Sequence, residues 1–145
     1  MSRIQRLLYV VASILFAGTL ALSAQAQPPA KNGPQATTLH SARDAIIRTI
    51  GAEKDSVAIV AAPESTVTVE RINSNMNSSS HGGRNNEAVV IGPIVSQAIA
   101  DKPAFKRVVV IRVQYLRRSS GLKDEVVDTI EFRKDATGKF QFHET

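Results

Sequence analysis

Residues 106–143, KRVVVIRVQYLRRSSGLKDEVVDTIEFRKDATGKFQFH, decide the fold. Val109, Ile111, Val113 and Tyr115 recur at every second position of a strand expected from Lys106 to Arg117, which gives that strand one apolar face. Ile130 and Phe132 repeat the pattern on a second strand, Glu125 to Arg133, and Phe140 and Phe142 on a third. A two-residue Ser120-Gly121 turn would set Ile111 opposite Ile130 and Val109 opposite Phe132. A three-residue loop Asp135-Ala136-Thr137, relaxed by Gly138, would set Phe132 opposite Phe140 and Ile130 opposite Phe142. Both turns gather the apolar side chains on one face, and this agreement predicts an antiparallel three-stranded meander.

Upstream, Ala88, Ile91, Val95, Ala98 and Ile99 keep helical spacing between Glu87 and Asp101, with Asn86 as cap and Pro103 as terminator. Gly92-Pro93 interrupts this pattern, because a mid-helix proline removes a hydrogen bond. A kinked helix is the preferred reading; a short strand ending at Ile91 is the other. Asn73 to Asn86 contains one apolar side chain, Met76, and is expected to be a loop without structure of its own. Val57 to Ala62 and Thr66 to Glu70 read as a hairpin or one bent strand around Pro63-Glu64-Ser65. Leu39 to Ile50 has one apolar helical face and stops at Gly51. Residues 27–38, with Pro28, Pro29, Gly33 and Pro34, are expected to be a disordered linker. The expected fold class for 39–145 is α+β, two helices packed on one face of an antiparallel sheet that ends in the meander.

The chain begins with Arg3 and Arg6, continues with a nearly unbroken apolar run from Leu7 to Leu22, and reaches Ala24-Gln25-Ala26. That order predicts a signal peptide over 1–26, cut after Ala26. The apolar run is shorter than the ~20 residues a spanning helix needs, so no membrane span is expected after cleavage. Cleavage would leave 119 of the 145 residues and lower the net charge from +5 to +3. With no cysteine, an exported domain of this size must rely on packing rather than disulfides. The expected location is periplasmic or secreted.

No motif assigns chemistry. His40, His81 and His143 are too scattered for a metal-ligand spacing, so neither metal nor cofactor is expected. Ser78-Ser79-Ser80 lacks the strand–turn–helix setting of a nucleophile, and His81-Gly82-Gly83-Arg84 lacks the residues of a phosphate loop. Alternation makes Glu131 a solvated position paired with basic neighbours. Two surfaces are candidates for binding: Asn75, Asn77, Ser80, His81 and Arg84 in the polar segment, and Arg112, Arg117 and Arg118 on the meander. They suit a protein, a sugar or an anionic envelope component; the scarcity of free aromatic faces there disfavours nucleic acid. The expected function is a small exported non-enzymatic binding domain. The alternative is a small hydrolase or isomerase with a pocket between sheet and helices.

Overall fold

A computed structural model describes residues 33–62 and 65–143. The elements run α1 (Pro34–Ile50), β1 (Val57–Ala62), β2 (Thr66–Ile72), α2 (His81–Ile99), β3 (Val110–Arg117), β4 (Glu125–Lys134) and β5 (Phe140–His143). The leader and residues 27–32 lie outside the described residues. The rest of the predicted linker is mostly helical. α1 starts at Pro34, whose fixed φ suits the first helical turn, and Gly33 is its N-cap. Gly51, at φ 64°, ends the helix as expected.

The five strands form one sheet in the order β1-β2-β3-β4-β5. The sheet is mixed, not antiparallel throughout, because β2 and β3 run parallel. Parallel neighbours need a crossover, and α2 supplies it. The other pairs are antiparallel, and Val57–Ala62 and Thr66–Ile72 form a hairpin.

From Val110 to Tyr115, and along β5, the meander pairs are offset by two residues from the tight-turn registers; a bulge between Tyr115 and Leu116 changes the register at the end of β3. Ile111 lies opposite Phe132 and Val113 opposite Ile130, while Phe132 lies opposite Phe142. The connections are longer than two and three residues. Asp135 closes the second: its Oδ1 accepts from the Thr137 hydroxyl and from the Thr137 and Lys139 N–H groups. An offset of two preserves the face of every side chain, whereas an offset of one would invert it. Ile111, Val113, Tyr115, Ile130 and Phe132 are accordingly buried. Val109 is not; it precedes β3 and is 49% exposed. Phe142 shares the Phe132 face but is 40% exposed, because β5 is the outer strand and only four residues long.

The Asp135 loop makes a prediction about acid stability. Hydrogen bonds from the Thr137 hydroxyl, the Lys139 N–H and the Gln141 amide hold its carboxyl at about 2, below the ordinary 3.8. A depressed folded value means that the stabilisation is complete above about 3.8 and disappears as pH falls through about 2. The stability difference between the native protein and Asp135→Asn should therefore shrink as thermal melts move from about pH 5 to about pH 2. A difference constant across that range contradicts the assignment.

Ile46 of α1, Ala88, Ile91, Val95 and Ile99 of α2, and Val67, Val69, Ile111, Val113, Ile130 and Phe132 of the sheet form one core cluster. Arg43 ties α1 to the sheet by donating to the Lys54 and Val57 carbonyls. α2 continues through Gly92 and Pro93 without a break, so the reading of a strand ending at Ile91 is overturned. Gly92 has its own reason to lack a side chain. A Cβ there would come within 2.7 Å of the Phe132 ring. Alanine favours a helix by about 1 kcal/mol over glycine, but overpacking costs about 1–3 kcal/mol. With several ring atoms in the way, Gly92→Ala should lose a net ~2 kcal/mol in urea denaturation. Adding Phe132→Leu to that variant should recover part of the loss; no recovery would mean that the ring is not the obstacle.

Candidate functional site

Asn73 to Asn86 is ordered mainly by hydrogen bonds, with Met76 packed against the core, which corrects the expectation of an unstructured loop. Asn75–Ser78 form a short 3₁₀ turn, and α2 already begins at His81. Ser80 is the N-cap, its Oγ accepting from the Gly83 N–H. Asn77 donates its amide to the Leu116 carbonyl at 2.8 Å. Asn73 donates to the Arg118 carbonyl and accepts from the Arg118 N–H, closing the segment onto the end of β3. Asn75 stays exposed, accepting from Ser74 Oγ.

His81 and Arg84 converge on Asp128 of β4. Arg84 Nε lies 2.7 Å from Asp128 Oδ2, as does His81 Nδ1. Burial pushes the Asp128 carboxyl up, but hydrogen bonds from Arg84 and His81 outweigh it and hold the group below its ordinary value. Arg84 also donates to the Ser79 and Met76 carbonyls. Its own carbonyl accepts from the Tyr115 hydroxyl at 2.9 Å.

A second polar group sits further inside. Arg71 Nε is 2.8 Å from Glu87 Oε1, with 4% and 13% of the two side chains exposed. Arg71 also donates to the Ser56 carbonyl and Oγ and to Ser74 Oγ, so its fork has partners on several sides. Burial, and then the Glu87 charge, push the neighbouring Tyr115 hydroxyl well above its ordinary range. An open cleft of about 620 Å³ lies over this pair, bounded by Gly51, Glu53, Asn75 and Met76 among others.

The meander arginines do not join these groups. Arg112 pairs with Glu131 at 2.8 Å, Arg117 with Glu125 at 2.7 Å, and Arg118 with Asp124 at 2.6 Å and Glu70 at 3.6 Å. Glu131 is buried between Arg112 and Arg133 rather than solvated. Burial raises its carboxyl, and the two arginines more than reverse that. The structure thus brings together Asn77, Ser80, His81 and Arg84, and leaves Arg112 and the Arg117–Arg118 pair as two separate charge-paired surfaces.

Arg71, Glu87 and Asp128 were not singled out in the sequence, although each carries a signal. Arg71 follows Val67 and Val69 at steps of two, Asp128 precedes Ile130 and Phe132 likewise, and Glu87 precedes Ile91 and Val95 at steps of four. Charged residues in inward positions demand partners. Among the described residues, no group of three or more histidine, cysteine or acidic side chains is arranged to hold a metal ion. No helix among them is long and apolar enough to cross a membrane.

A different surface remains open along α2 and β5. Val89, Pro93 and Gln97 of the helix, with Phe132, Phe140 and Phe142, line a groove of about 650 Å³. No protein-family model, curated protein or solved structure matches this chain.

Proposed function

We propose that the protein is an exported, non-enzymatic binding domain of the bacterial cell envelope, periplasmic or released. The observation that carries this reading is how its polar groups are used. Glu87 and Asp128 are engaged by arginines, and His81 Nδ1 by Asp128. Asp128, held below its ordinary range by Arg84 and His81, is a poor proton donor. The α2–β5 groove, by contrast, leaves Val89 and Phe142 exposed to water at 49% and 40%. In this reading the two helices cover one face of the sheet around the core, and binding takes place at its perimeter rather than in a pocket between the layers. The hydrolase or isomerase alternative needs such a pocket; the cleft over Arg71 and Glu87 has its carboxylate already paired with Arg71.

Export is supported by the order of charged, apolar and small residues in 1–26. Intact-mass measurement on periplasmic and culture-medium fractions should find a chain that begins at Gln27. A membrane-bound species retaining Met1 would contradict it. For binding, immobilised protein should retain an envelope component that Phe142→Asp releases, with proteins and small molecules both identified by mass spectrometry. Retention unaffected by Phe142→Asp would move the site elsewhere.

A further inference from the structure

We propose that the α2–β5 groove binds a single-chain anionic lipid, its acyl chain along Val89, Pro93 and Phe142 and its acidic headgroup among Lys102, Lys106 and Lys134. This rests on the binding-domain reading above and names the ligand class. The apolar groove does not end at Phe140. Ser96, Ala100, Gly138 and Phe140 also line a second hollow of about 460 Å³, which continues to the three lysines. Both volumes fall in the range of about 300–1,000 Å³ usual for small-molecule sites. The floor of the second hollow is apolar, with Phe105 buried, and Lys134 Nζ stands 5.0 Å from the centre of the Phe140 ring. The two hollows therefore adjoin through shared walls, one mainly apolar with Lys139 at its side and the other carrying the three lysines.

Charge pairing distinguishes these lysines from most of the described arginines, Arg48 and Arg107 excepted. Arg71, Arg84, Arg112, Arg117, Arg118 and Arg133 each lie within 4.0 Å of a carboxylate. Among the described residues, Lys102, Lys106 and Lys134 have no such partner, although Asp101 lines the same hollow. Three ammonium groups against one carboxylate leave a local excess suited to one phosphate or carboxylate headgroup. A free anion would use only the lysine end, and a neutral lipid only the apolar end. An amphiphile uses both.

The test is calorimetric and NMR titration of the protein, as its cell produces it, with monomeric dodecyl phosphate below the micelle threshold. Saturable one-to-one binding is expected, with amide shifts along Val89–Lys102 and Lys134–Phe142. Dodecanol and inorganic phosphate should each bind at least tenfold more weakly. Replacing Lys102, Lys106 and Lys134 together by glutamine should weaken dodecyl phosphate at least tenfold while leaving the melting temperature unchanged. If that variant does not fold, Val89→Asp tests the acyl end with the same expected loss. Equal affinity for dodecanol, undiminished binding by the lysine variant, or no saturable binding overturns the proposal. So does tight binding of an acidic amphipathic peptide in place of dodecyl phosphate, which would assign the groove to a protein partner. A chain beginning at Gln27 that ignores dodecyl phosphate overturns this assignment while leaving the export reading intact.

Discussion

Glu87→Ala should destabilise the protein by about 3–5 kcal/mol, the range for removing one partner of a buried ion pair. The Arg71 side chain is 4% exposed, and Glu87 supplies its charge complement through both carboxylate oxygens. Without Glu87, Arg71 keeps only the Ser56 and Ser74 oxygens, which are hydrogen-bond acceptors but carry no charge. The cost is that of a buried, uncompensated cation rather than of one lost contact. Replacing both partners by apolar residues of similar size, as in Arg71→Met with Glu87→Leu, should restore most of the stability, since such swaps are often neutral. Urea midpoints of the three variants measure this. A loss below about 1 kcal/mol for Glu87→Ala would mean that the pair behaves as an exposed one.

Phe132→Ala should cost about 3–5 kcal/mol, as expected for emptying an aromatic position in a core. Its ring is buried, lies against Gly92 and meets Phe142 edge-on at 5.8 Å. No side chain at Gly92 can fill the space left behind. The adjacent Glu131→Ala provides the comparison. Alternation alone predicts almost no effect there, but Glu131 is buried between Arg112 and Arg133, whose guanidinium groups remain partly exposed to water. A loss of about 1 kcal/mol is therefore expected for it, because the arginines remain solvated when their partner is removed. Equal losses for the two variants would contradict the assignment of their faces.

These residues show what could be read from the chain. Alternation placed Ile111, Val113, Tyr115, Ile130 and Phe132 inward, and the burial agrees. Their cross-strand partners were two positions off, because register depends on turn geometry, and Asp135 builds a longer loop through its own side chain. The parallel β2–β3 pairing was not legible, since a single strand's pattern does not reveal its neighbour's direction. Residues 73–86 were misread for a different reason. Composition reports apolar burial, whereas this segment is held by Asn73, Asn77 and Arg84 bonding to distant groups and by Ser80 capping α2. Of the site, the sequence indicated His81 and Arg84 but not their shared partner Asp128. The α2–β5 groove was not legible as a groove, because it depends on β5 lying outermost beside Gly92 and Pro93.

The proposed binding site is the α2–β5 groove and not the cleft over Arg71 and Glu87. Hydrogen–deuterium exchange on the purified protein, free and loaded with any component captured from envelope extract, tests this most directly. Added protection is expected in β5 and in α2 from Val89 onward, with residues 71–87 unchanged. Protection confined to residues 71–87 would contradict it.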